Sequence, residues 1–146
     1  FDTGSTRTFI SAELCEKLEL KPSAWDEVAM AGFGDTERKL EHYPRVSFNV
    51  NLPNGKSKEI VANVKDSITC PTRRIPLSPE HSAMLNNARM AAPVITGTEH
   101  TAIDVLIGVD YYYELIQPGW VKSSDNVIFL ESDFGLIPTG KAVSDE

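Results

Sequence analysis

Cysteine is scarce in this chain of 146 residues, where only Cys15 and Cys70 occur. They lie far apart in different surroundings, so neither a disulfide framework nor a zinc-type pairing is expected, and a reduced compartment is the simpler reading. No Asn-x-Ser/Thr acceptor is present, in keeping with an intracellular, cytoplasmic protein. Basic charge is short as well. Fourteen Lys and Arg stand against twenty-one Asp and Glu, a net charge of −7, which leaves no basic field to attract nucleic acid or an anionic membrane. Long apolar runs are missing: runs such as Val105-Leu106-Ile107 and Met90-Ala91-Ala92 are far below the roughly 20 residues of a membrane helix. The start, Phe1-Asp2-Thr3-Gly4-Ser5, has no basic region, no apolar signal core and no initiator Met, so a segment of a longer protein is expected. His42, His81 and His100 are too widely spaced for a local ligand set, which makes surface histidines, and no metal site, the expectation.

What is there is ordinary for one soluble domain with one core: 41% hydrophobic and 24% charged residues. Ile10, Leu14, Cys15 and Leu18 fall on one helical face, predicting a short helix over 11–18 that Lys21-Pro22 closes. Residues 27–31 read as a strand, Gly32-Phe33-Gly34-Asp35 as a turn, and a second strand begins near Arg38. Val46, Phe48, Val50 and Leu52 alternate strictly, Pro53-Asn54-Gly55 signals a hairpin turn, and Ile60, Ala62 and Val64 alternate on the return. Residues 70–76 read as irregular; Ser78-Pro79-Glu80 predicts a helix to about Asn87. An apolar strand over 103–107 leads into a helix over 111–116, strands follow over 127–130 and 134–137, and residues 142–146 are expected to be a frayed tail. Many short strands with two or three small helices predict a mainly β domain over 1–141, built as a barrel or a folded-over sheet.

The chemistry concentrates in Asp2-Thr3-Gly4-Ser5, with Phe9-Ile10 and a helix close behind. Two carboxylates about 3 Å apart cannot both ionise, so they share a proton; one can then accept a proton from water while the other donates to a scissile carbonyl. A glycine beside the acid lets the second carboxyl come close, and a small hydroxyl residue can orient the acid. Asp2 is thus the candidate acid/base, Thr3 the scaffold of the turn and Gly4 the close-packing position. Ser5 is a candidate donor to the carboxylate.

The order Asp2-Thr3-Gly4-Ser5, helix, glycine-tipped hairpin, β-rich middle, Asp104-Val105-Leu106-Ile107-Gly108-Val109-Asp110-Tyr111 and Phe134-Gly135 resembles the retropepsin-like aspartic peptidases, in detail the peptidase of Pao/Bel-type retrotransposons. The resemblance covers nearly the whole chain. It implies an acid-protease barrel or folded sheet that hydrolyses peptide bonds without a cofactor, as a homodimer to which each copy gives one Asp2. It also implies a flap over residues 30–36, with Gly32 and Gly34 as a mobile tip and Phe33 touching substrate or the partner's flap. Leu106-Ile107-Gly108 would pack behind the acid turn as support. The substrate implied is a peptide or retroelement polyprotein, or that of a host protein derived from such an element. A strand ahead of the acid belongs to the family pattern; the expectation is either that it precedes the sequence given or that the fold has a different edge here.

Other features have plainer readings. Asp104 and Asp110 flank a buried strand and are expected to cap the next helix or bond backbone. Gly32-Phe33-Gly34 lacks the strand-to-helix frame of a phosphate loop. Asp133-Phe134-Gly135 has no nucleotide loop to accompany it. Tyr111, Tyr112, Tyr113 and Trp120 are expected to be core or interface aromatics. The alternative to an enzyme is a non-catalytic dimerisation or peptide-binding module on the same fold.

Overall fold

The computed structural model describes residues 1–86, 88–93 and 100–140. Their elements run β1 (Phe9–Ser11), α1 (Ala12–Lys17), β2 (Ala24–Met30), β3 (Lys39–Asn51), β4 (Ser57–Lys65), β5 (Thr72–Arg73), α2 (Pro79–Leu85), β6 (His100–Thr101), β7 (Val105–Leu106), α3 (Val109–Leu115), β8 (Ile116–Lys122), β9 (Val127–Ser132) and β10 (Gly135–Gly140). The architecture is mainly β. Among the described residues the strands form open sheets of five, three and two members, so the closed barrel expected from the sequence is not formed. The expected tail at 142–146 lies outside the described residues. No helix among the described residues is long and apolar enough to cross a membrane. Two compact units are present.

The first unit comprises Phe1–Val50, Ser57–Cys70 and Ile103–Tyr112. Its sheet runs β2-β3-β4-β1-β7, with β1 parallel to β4 and antiparallel to β7. The short strand β1 is buried along its length. Successive strand residues point to opposite faces, and here that alternation feeds two apolar clusters. Phe9 packs with Val28 and Tyr43, and Ile10 with Cys15, Val46 and Ala62. Each fully buried side chain of this size contributes about 1.5–3 kcal/mol.

Helix α1 starts on Ser11, whose hydroxyl accepts the Leu14 N–H. It stops before the expected Lys21-Pro22. Glu19 takes a left-handed φ of 53°, and the Glu19 and Leu20 N–H groups bond Glu16 O and Cys15 O, closing the helix by a Schellman motif. Strand β2 begins three residues earlier than the expected start at 27. Asp26 faces inward and hid the alternation; its carboxylate accepts from Arg45 Nε at 2.9 Å, from Arg45 Nη2 and from Asn63 Nδ2 at 2.9 Å. Arg45, and after it Asn63, hold Asp26 well below the usual carboxylate range.

The second unit comprises Asn51–Lys56, Pro71–Ala102 and Tyr113–Glu146. Its sheet runs β10-β9-β8, and β5 pairs with β6, so residues 72–73 form a strand where irregular chain is expected. Strand β8 also replaces the expected end of a helix at Ile116. Its Pro118-Gly119 pair reads as a turn, and the ladder to β9 is irregular between Ile116 and Trp120. The core here gathers Leu77, Val127 and Phe129. Tyr113 and Trp120, expected to be core or interface aromatics, are exposed and so do not belong to the core.

Helix α2 is capped by Ser78, with Pro79 in its first turn; the expected end at Asn87 lies outside the described residues. His81 is not a surface histidine but is 6% exposed, against Phe129. Its Nδ1 accepts the Ser78 N–H at 3.1 Å, so Nε2 carries the proton and donates to Asp125 at 2.9 Å. The Ser123 hydroxyl, and then His81, hold Asp125 down to about 2. Ionised Asp125 therefore contributes stability that is complete above the roughly 3.9 of a free Asp and is lost as pH falls through about 2. In thermal unfolding followed by circular dichroism, the midpoint of the wild-type protein should drop more steeply than that of Asp125→Asn over that acid range. Parallel curves would refute the assignment.

Candidate active site

Asp2 sits in a turn that its own carboxylate helps to close. Oδ1 accepts the Gly4 N–H at 2.8 Å, and the Asp2 carbonyl accepts the Ser5 N–H at 3.3 Å. The side chain is exposed, leaving the other oxygen open to a reactant. A Cβ on Gly4 would lie 3.1 Å from Oδ1, so glycine keeps the space beside the acid clear. Thr3 is exposed beside it. Ser5 does not bond the acid: its hydroxyl donates to the Arg7 carbonyl at 2.7 Å. It braces the exit of the turn instead of donating to the carboxylate.

The segment ahead of α3 holds this turn from behind. The Asp2 N–H bonds Ile107 O at 2.8 Å and the Val109 N–H bonds Ser5 O at 2.9 Å. Gly108 lies against the turn so closely that a Cβ would stand 2.4 Å from Arg7 O and 2.7 Å from Ser5 O. Thr8 is almost wholly buried. Its N–H and hydroxyl donate to Asp110 at 3.1 and 2.7 Å, and its hydroxyl accepts the Gly108 N–H at 3.1 Å. Asp104 accepts both the hydroxyl and the N–H of Ser11 at 2.8 Å. Asp110 and Asp104 thus bond the chain beyond the acid turn. Phe1 stacks edge-on against Tyr112, with ring centroids 5.8 Å apart.

Asp2, Gly4 and Ser5 line a cleft of about 520 Å³ together with Met30, Gly32 and Leu106. The hairpin of β2 and β3 pairs from Ala24↔Arg45 to Met30↔Lys39, and its tip is set by Asp35, whose carboxylate accepts the Gly32 N–H at 2.7 Å while its N–H donates to Gly32 O. Gly34 has the positive φ of 89° that the tip requires. Phe33 is fully exposed, and neither Phe33 nor Gly34 lines the cleft of the single chain. The cleft therefore joins the acid turn, the hairpin base and Leu106, residues about thirty and a hundred positions apart in the sequence.

Sequence reasoning passed over Arg7, Arg38 and Lys65, which also line this cleft. Charge alone does not single them out among fourteen Lys and Arg; only the sheet brings them beside Asp2. The contact at Gly108 yields a direct test. Gly108→Ala forces backbone apart at Arg7 and Ser5, and overpacking of this kind costs about 1–3 kcal/mol. Urea unfolding should show that loss, and peptide cleavage should fall with it because the acid turn moves. An unchanged midpoint would show that the contact is not limiting.

No curated protein matches the chain, and no solved structure does. A family model described as "Putative peptidase (DUF1758)" matches residues 1–143. That match takes in the acid turn, the hairpin and the Gly108 support together, and the chain belongs to this peptidase family.

Proposed function

We propose that the chain is an aspartic endopeptidase of the retropepsin-like type, akin to the peptidase of Pao/Bel-type retrotransposons, and that it works as a homodimer with one Asp2 from each copy. One observation carries the reading: among the described residues Asp2 is the single carboxylate lining the cleft, on a turn braced from behind and facing a glycine-tipped hairpin. Catalysis by carboxylates on a peptide bond needs two of them. A second copy of the same turn supplies the other. The natural substrate under this reading is a retroelement polyprotein, or the target of a host protein derived from one.

In the dimer the two Asp2 carboxyls share one proton, a property of the pair and not of either residue. The ionised member takes a proton from water as its oxygen bonds the scissile carbonyl carbon, while the protonated member donates to the carbonyl oxygen. The resulting gem-diol collapses: one of its hydroxyls returns a proton to the carboxylate that had donated, the C–N bond breaks, and the amine nitrogen leaves with the proton the other carboxyl took from water, so the pair again shares one proton. The hairpin over residues 30–36 closes on the peptide and excludes bulk water, with Gly32 and Gly34 supplying the mobile tip. Phe33, exposed in the single chain, then meets substrate or the partner's hairpin.

Asp2→Asn should lower kcat for peptide cleavage by at least the roughly 10²–10⁴-fold attributed to general acid–base groups; cleavage at the wild-type rate ends the proposal. The pH profile of kcat/KM should be bell-shaped with an acidic to near-neutral optimum, because each limb titrates the pair, and a flat profile is incompatible with the dyad. That the sequence carries a single Asp-Thr-Gly also favours a second reading, a non-catalytic dimerisation or peptide-binding module. A pepstatin-type analogue separates the two: a competent dyad binds it and stops cleavage, while a module binds peptides without turnover. A strict monomer in solution favours the module.

A further inference from the structure

The charge of the cleft runs against that of the chain. In a protein of net charge −7, the cleft wall holds three cations, Arg7, Arg38 and Lys65, against the single carboxylate of Asp2. These cations are available. Arg7 places Nη1 3.3 Å from Asn63 Oδ1 and 3.8 Å from Asp26 Oδ2, with 42% of its side chain exposed, and Asp26 is already satisfied by Arg45 and Asn63. A guanidinium has five N–H donors, so Arg7 keeps most of them for a ligand. Among the described residues neither Arg38 nor Lys65 has a carboxylate partner. Arg38 borders the cleft from the hairpin, just ahead of β3, and Lys65 from the end of β4.

We infer that the cleft selects peptides carrying Asp or Glu side chains beside the scissile bond, bound by Arg7, Arg38 and Lys65. The inference rests on the peptidase reading for its turnover and on charge alone for its binding. Cations of one sign around a partly desolvated cleft raise the local concentration of an anionic ligand, and more so at low salt. Carboxylates are the ligands that Arg holds through two parallel bonds. In the dimer the two-fold axis repeats the three cations, so acidic side chains are favoured on both sides of the cut.

The test uses two octapeptides of the same apolar centre, one flanked by Glu and one by Gln, at about pH 6, where free Glu is ionised. The wild-type protein should cleave the Glu peptide with about tenfold higher kcat/KM, the product of several exposed charge contacts, and the ratio should shrink as salt is added. In R38E/K65E the preference should fall to one or invert. Arg7 also touches Asn63, so the double variant at the other two positions keeps the test clear of misfolding. Equal cleavage of both peptides, or a preference that R38E/K65E leaves unchanged, overturns charge selection while leaving the peptidase reading intact. Binding of reduced-amide versions of both peptides to Asp2→Asn, read by fluorescence polarisation, separates the failures. About tenfold tighter binding of the Glu version without any cleavage by the wild-type protein upholds charge selection and removes the peptidase reading, whereas binding of neither overturns the selection.

Discussion

The hydroxyl of Thr8 is a donor to Asp110 and an acceptor from the Gly108 amide at once, and the first unit is organised around that exchange. Thr8 is almost wholly buried, so each of these polar groups would be left unsatisfied if its partner were lost, at a cost of about 1–3 kcal/mol apiece. The exchange joins the chain just after the acid turn to the start of α3. The chain on either side of Thr8 is tied to the same segment: the Asp2 N–H to Ile107 O, the Val109 N–H to Ser5 O, and Ser11 to Asp104. A catalytic carboxylate has to be held within a fraction of an ångström to be useful. Here that precision comes from paired backbone and buried side chains behind an exposed acid.

A second constraint is the inward-facing charge of Asp26. It sits on β2 within reach of Arg45, Asn63 and, more loosely, Arg7. Two partners on neighbouring strands satisfy it, which locks the register of the β2–β3 hairpin that borders the cleft. Asp26 is already bonded by Arg45, and Arg7 reaches it only at 3.8 Å. A structural ion pair thus decides the electrostatic character of a neighbouring site.

The same arrangement bears on the pH at which the protein works. The proposed dyad, sharing one proton, would act in acid to near-neutral solution. Asp26 is held well below the usual carboxylate range, and Asp125, in the second unit, at about 2. Both therefore stay ionised under those conditions, one holding the hairpin and the other the Ser78–His81 cap of α2. Asp26 and Asp125 thus titrate below the range in which the proposed catalytic pair would operate.

Local chemistry made much of this legible. Asp2-Thr3-Gly4-Ser5 marks a turn around an acid, alternation marks β3 and β4, and Ser78-Pro79 marks the start of α2, because each signal is carried by neighbours in the chain. Where long-range partners intervene, the sequence is silent or misleading. Nothing local says that Asp26 points inward, that Pro118-Gly119 lies in a strand, or that His81 is buried against Phe129. The sequence by itself determined a mainly β chain with one acid turn and one glycine-tipped hairpin. Only the tertiary structure decided that Gly108 braces the turn, that the strands stay in open sheets, and that three cations share a cleft with Asp2, since these depend on contacts between segments up to about a hundred residues apart.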